Sequence, residues 1–168
     1  MRHKITGKQH NSKRCFICGL ENSSGLKASF YETAGNELIA TFMPSEEHQS
    51  YPGRLHGGIA SAILDETIGR AISIGNVEQV WGITVELSVE YKKPIPLDKE
   101  VRVIGRITSQ NSRFFEGTGE VILDNGEIAV IARGRYMKAP LAKIADFDPI
   151  ENKWQIVADP QDPAIIEL

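Results

Sequence analysis

His56 is followed by two glycines, Gly57 and Gly58, and further on two carboxylates, Asp65 and Glu66, stand side by side in RLHGGIASAILDETIGRAISIG, Arg54 to Gly75. The run Ile59 to Leu64 is apolar apart from Ser61, so the pair interrupts a stretch suited to burial. If the segment is a helix, its first turn carries unpaired N–H groups and partial positive charge. Glycines there let another atom approach the backbone. The turn then becomes a seat for a carbonyl oxygen or a developing oxyanion, with His56 shaping its entry. Asp65 lies nine residues past His56, ~13 Å along the axis at ~1.5 Å per residue. A carboxylate attacking a carbonyl carbon must sit ~3 Å from it while N–H donors hold the oxygen at a similar distance. One helix cannot do both for one substrate. Two antiparallel copies across a two-fold axis can, and the spacing then predicts a homodimer with two composite sites. The competing reading leaves Asp65 and Glu66 as a solvated or capping pair. Ile63, Leu64 and Ile68 around them argue that at least one is partly buried. The ~100° step between successive helix residues argues against a shared role.

These residues must be positioned by the elements around them. The helix spans roughly 57–74 and Gly75-Asn76 ends it. Before it, 26–34 and 37–44 read as a hairpin across Gly35-Asn36, and 45–55 is a loop punctuated by Pro52-Gly53. After it come four alternating stretches at 80–92, 100–110, 113–123 and 127–137, the last two joined by Asp124-Asn125-Gly126, a tight-turn signal. In the first of these, Val85, Leu87, Val89 and Tyr91 are expected on one face and Thr84, Glu86, Ser88 and Glu90 on the other. A helix apolar on most of its circumference must be covered nearly all round, and about six antiparallel strands curving about it would do so. The outer sheet face would be left for a partner. Residues 1–24 are polar, with a basic start expected to fray, and 139–168 read as an extension, loosely docked or partly disordered. The domain proper is 25–138.

Composition bounds the rest. The chain has 168 residues, 41% of them hydrophobic, and a net charge of −3, enough for one core and without a general basic face for nucleic acid. No segment has the apolar length of a membrane span, and none has the form of a signal peptide, so a soluble cytoplasmic protein is expected. Cys15 and Cys18 form a CxxC. Plain structural thiols, a Cys2His2 metal site with His3 and His10, and a redox pair all compete. Loop-type residues after Gly19 speak against the redox form, and no metal ligand is assigned.

HGGIASAILDE followed by TVELSVEYKKPIP resembles the hotdog-fold thioesterase superfamily, in its branch of small acyl-CoA thioesterases. CFICGLENSSGLKASFY resembles the lead-in before the first strand of several members, and HQSYPGRLHGG their loop into the helix. The resemblance covers about 15–138. It implies an α+β hotdog fold, a curved antiparallel sheet wrapped around one long central helix, and a dimer, or a tetramer built from dimers. It also implies hydrolysis of an acyl-CoA thioester to free acid and coenzyme A, which is part of the substrate, with no other cofactor. Asp65 would be the base or nucleophile. Gly57 and Gly58 would polarise the carbonyl beside His56, and Thr84 would help place the water. Ser50 stands where the family often has Asn or Gln, so His48 or Gln49 would supply that contact. Arg54, Lys92 and Lys93 are candidates for the coenzyme A phosphates, and Ile59, Ile63, Ile68 and Trp81 for the acyl chain. Two rival functions remain: a non-catalytic acyl-CoA or acyl-carrier binding protein, and a hydratase or dehydratase on the same fold.

Overall fold

The computed structural model describes residues 1–76 and 78–168. Eight strands and one long helix make the fold: β1 Arg2–Lys8, β2 Ser29–Thr33, β3 Leu38–Phe42, α1 Gly57–Ala71, β4 Gly82–Tyr91, β5 Val101–Gln110, β6 Phe114–Ile122, β7 Ile128–Lys138 and β8 Ile165–Glu167. The strands form a single antiparallel sheet in the order β4-β7-β6-β5-β3-β2-β1-β8. Both anticipated hairpins close as their turn residues require. Asn36 takes φ 60° between β2 and β3, and Gly126 takes φ 80° between β6 and β7.

The sheet lies against α1, whose Ala60, Ile63, Leu64, Thr67 and Ile68 are buried. Packing is close because the strands carry glycine under the helix. A Cβ at Gly117 would stand 2.6 Å from Ile68 Cγ2, and one at Gly105 would meet Thr67 at 3.0 Å. Phe30, Leu38, Ala40, Val103, Phe115, Val121, Val130 and Tyr136 complete the core. Among the described residues no helix is long and apolar enough to cross a membrane.

The architecture matches the expected hotdog arrangement, but the sheet has eight strands rather than about six. The two additional strands come from the chain ends. β1 pairs with β2 on one side and β8 on the other. Its sequence, RHKITGK, has only one apolar side chain, Ile5. That residue packs on a small second cluster of Tyr31, Ile39, Ile104 and Ile166, so backbone pairing rather than a hydrophobic pattern makes this strand. The basic start is therefore a sheet strand and not a frayed end.

The extension after residue 139 is docked along the domain. His10 stacks on Trp154 at 5.2 Å, Asn11 pairs with Gln155, and the Tyr31 hydroxyl donates to Asp162 at 2.8 Å. Burial and Asp162 together push the Tyr31 phenol up to about 12. Separated aromatic anchors in a polar stretch carry no periodicity, which is why the sequence reads as loose there.

β4 departs from simple alternation. Its pairing with β7 shifts between Thr84 and Glu86, a bulge at Val85. Thr84 lies opposite Tyr136, and Leu87 opposite Gly134, both positions of the inward face of β7. The bulge thus turns Thr84 to the helix side together with Leu87, Val89 and Tyr91, correcting the opposite face that strict alternation assigns to it.

Candidate active site

Asp65 sits mid-helix, half-buried, with its carboxylate accepting from Thr84 Oγ1 at 3.0 and 3.1 Å. Burial raises its pKa above the ordinary 3.8. The Thr84 hydrogen bond works against that rise, and neighbouring Glu66 adds to it. The Tyr136 hydroxyl donates to the Asp65 main-chain carbonyl at 3.1 Å and fixes this turn of α1 to β7. Burial, followed by the Asp65 charge, holds the Tyr136 phenol neutral.

Asp65 and Thr84 open into a cleft of about 320 Å³. Trp81 lines it, as does Glu66, which the sequence sets beside Asp65, and so do Arg70, Phe147 and Trp154, which the sequence did not mark. Trp81 lies 5.9 Å from Phe147 and 5.5 Å from Trp154, ring to ring. The C-terminal extension therefore forms an aromatic wall beside the carboxylate.

The other end of α1 is organised separately. His56 is the N-cap, and its Nδ1 accepts from the Gly58 N–H at 2.9 Å. The Ile59 and Ala60 N–H groups donate to the His56 carbonyl. Gly57 is left as the amide of the first turn without a partner among the described residues. Gly58 thus supports the cap, and of the two glycines only the Gly57 N–H is left open to an outside acceptor among the described residues. Tyr91, unmarked by the sequence, lies over this turn. Its hydroxyl donates to the Gly57 carbonyl at 2.9 Å, and a Cβ at Gly57 would come 3.3 Å from its ring. Gly57 shares a shallow groove with Tyr91, Lys92 and Lys93. Lys92 pairs with Glu90 and Lys93 with Glu127.

Other assignments change. His48 is buried, its Nδ1 accepts from Ser45 N–H at 3.0 Å and its Nε2 faces the Ser24 carbonyl at 3.0 Å. With both ring nitrogens committed to backbone, it fastens the loop and has nothing left for a substrate. Ile63 and Ile68 are fully buried in the core, and Ile59 packs against it, so none of the three lines the Asp65 cleft. Ser50 and Arg54 are exposed in the loop before the helix, outside both the cleft and the Gly57 groove. His3 faces Glu37 at 3.2 Å and His10 stacks on Trp154, so neither joins the cysteines. Glu66 does, from the helix. No spacing rule in the sequence points to that.

A sequence profile of the thioesterase superfamily matches residues 52–130, the stretch that holds Gly57, Asp65, Thr84, Lys92 and Lys93. Among solved structures, a Haemophilus influenzae thioesterase superposes with a TM-score of 0.65 over 74% of this chain and 86% of its own, at 14% identity. The chain has the hotdog fold of these proteins, and just under half of it matches the thioesterase superfamily profile. Curated relatives include the acyl-coenzyme A thioesterase THEM4 of Rattus norvegicus, 36% identical over 92 residues, 54% of this chain and 38% of that protein. The human acyl-coenzyme A thioesterase 13 is 22% identical over 67% of this chain and 79% of its own length. The chain spans less than half the length of the first of these relatives. A Streptococcus pneumoniae thioesterase protein solved with coenzyme A shares the fold at a TM-score of 0.56 and 21% identity, over 61% of this chain and 81% of its own. The cysteine pair and the aromatic wall of Phe147 and Trp154 lie outside the matched segment.

Proposed function

We propose that the chain hydrolyses an acyl-CoA thioester, as a homodimer in which each site takes Asp65 and Thr84 from one copy and Gly57 from the other. The single observation that carries this reading is the division of the helix. A half-buried carboxylate opens into one cleft, and the one uncommitted first-turn amide opens into a separate groove. Eight residues separate them, ~12 Å of helix, too far to serve one carbonyl. Strand β4, the terminal strand of the sheet, runs beside both. A ten-residue strand open along one edge is a template for pairing with a second copy.

In this arrangement the Gly57 N–H of one copy binds the thioester oxygen. Thr84 donates a hydrogen bond to Asp65, and its oxygen accepts one from the attacking water. Asp65 takes one proton from that water as the water oxygen bonds to the carbonyl carbon. Collapse breaks the carbon–sulfur bond, and Asp65 returns the proton to the departing sulfur, which releases the carboxylic acid and the coenzyme A thiol. Lys92 and Lys93, beside the Gly57 groove, suit the phosphates of coenzyme A. A cytoplasmic setting belongs to the same proposal, because free thiols at Cys15 and Cys18 suit a reducing compartment.

Complementation tests the composite site. Asp65→Asn should lower thiol release by ~10²–10⁴-fold, the usual worth of a general base. Gly57→Pro removes the N–H at a helix position that tolerates proline and should also be inactive. Refolded together in equal amounts, the two variants should regain about a quarter of wild-type activity, since half the dimers are mixed and each holds one intact site. No recovery on mixing, or full activity of Asp65→Asn alone, would remove the mechanism. Tight acyl-CoA binding by the wild type without thiol release would leave a binding module.

A further inference from the structure

The cleft wall opposite Thr84 contains a second cluster that thioester hydrolysis does not use. The turn from Cys15 to Gly19 folds around the Cys15 sulfur, which accepts from the Ile17 N–H at 3.3 Å and the Cys18 N–H at 3.5 Å. Gly19 N–H closes the turn onto the Cys15 carbonyl at 2.8 Å, and a Cβ at Gly19 would lie 2.3 Å from that oxygen. The Cys18 sulfur receives Arg70 Nη2 at 3.0 Å and stands 3.3 Å from Ser12 Oγ. The Cys15 sulfur thus accepts from two backbone amides, and the Cys18 sulfur accepts from Arg70. A neutral thiol is a weak acceptor, so this surrounding fits sulfur that carries negative charge. Glu66 faces the pair from α1, and its carboxylate and both sulfurs lie within 4.8 Å of one another. Arg70 Nε holds one Glu66 oxygen at 2.8 Å, which leaves the second oxygen unused by that bond.

We propose that Cys15, Cys18 and Glu66 bind a thiophilic divalent cation, zinc by class, with a fourth position open to the cleft. Two thiolates and a carboxylate bring three negative charges to one place. Arg70 supplies one positive charge, and a divalent ion supplies the other two. Thiolate ligands select zinc over magnesium or calcium. Three protein ligands with an open fourth position form a known zinc geometry, and tetrahedral ligand atoms stand ~3.5–3.8 Å apart, a small closure from the present spacing. Arg70 and the backbone amides then act as the outer donors that orient the ligands. Binding displaces both thiol protons, so affinity rises with pH.

Cobalt titration of chelator-treated, reduced full-length protein decides the matter. One Co²⁺ per chain should bind with a thiolate-to-cobalt charge-transfer band, and Zn²⁺ should displace it with Kd below ~1 µM. Cys15→Ser and Cys18→Ser should each abolish the band and weaken zinc binding at least ~100-fold, and Glu66→Gln at least ~10-fold. If Cys18→Ser, at a buried position, fails to fold, Cys15→Ser at its partly exposed site still decides. A missing band, binding unchanged by the cysteine substitutions, or reduced protein that binds zinc no tighter than ~10 µM would overturn the proposal. The measurement needs no substrate, so it stands apart from the hydrolase reading.

Discussion

At the scale of single residues, the proposed hydrolysis rests on a carboxylate kept ionisable in a half-buried place. Asp65 has a pKa raised by burial, held back by Thr84. A carboxylate with a raised pKa in the folded state binds its proton more tightly there than when unfolded. Its contribution to stability is therefore full below its ordinary pKa of 3.8 and is lost as pH climbs through the raised value. Asp65→Asn should remove that loss. The melting temperature of the variant, relative to wild type, should rise from acid toward neutral pH. Activity follows the opposite sense, because the base must be ionised. Thr84→Val deletes the hydrogen bond to the carboxylate, so the acid limb of the pH–rate profile should move to higher pH and kcat/KM should fall ~10-fold, the scale of one hydrogen bond to a charged group. A profile that keeps its position would mean that Thr84 does not govern Asp65. Thr84 was legible in the sequence as a residue but not as a geometry. Alternation predicts the wrong face for it, and only the bulge at Val85 brings it round.

At the scale of elements, Arg70 joins what the sequence presents as separate pieces. From the last turn of α1 it bonds Glu66, the His10 carbonyl and Cys18, and its guanidinium lies 4.4 Å from the Phe30 ring centre and 5.0 Å from that of Trp154. Helix, leader, sheet and tail meet on one side chain. Arg70→Leu should cost ~3 kcal/mol in denaturant unfolding, the low end for breaking a buried pair because Glu66 keeps some solvent contact. A loss under ~1 kcal/mol would show that packing alone holds these pieces. The helix and the six central strands were readable because each has a period or a turn signal: Gly35-Asn36, Asp124-Asn125-Gly126, the alternation at 100–110. β1, β8 and the docking of 139–168 were not. Their order comes from edge pairing and from isolated anchors such as Trp154 and Asp162, which become meaningful only once the surface they meet exists.

At the scale of the molecule, the open edge of β4 is where the proposed dimer would pair. Val85, 49% exposed on that strand, is an apolar residue where a monomer would place a polar one. On the proposed two-copy site, Val85→Lys should shift dimer toward monomer in sedimentation, and specific activity should then fall on dilution. Unchanged mass with lost activity would place the defect in the neighbouring Thr84 instead. The aromatic wall of Phe147 and Trp154 has its own consequence. The carboxylate lies within the superfamily match at 52–130, whereas Phe147 and Trp154 on the cleft wall come from a stretch far downstream. On the proposed reaction, reactivity and choice of acyl group would then be encoded in separable parts of the gene product. Opening the cleft with Trp154→Ala should widen the range of tolerated acyl lengths while leaving the rate on the shortest acyl-CoA nearly untouched. Transplanting a foreign tail should carry its donor's preference along, which makes this extension the place to look when otherwise similar chains differ in diet.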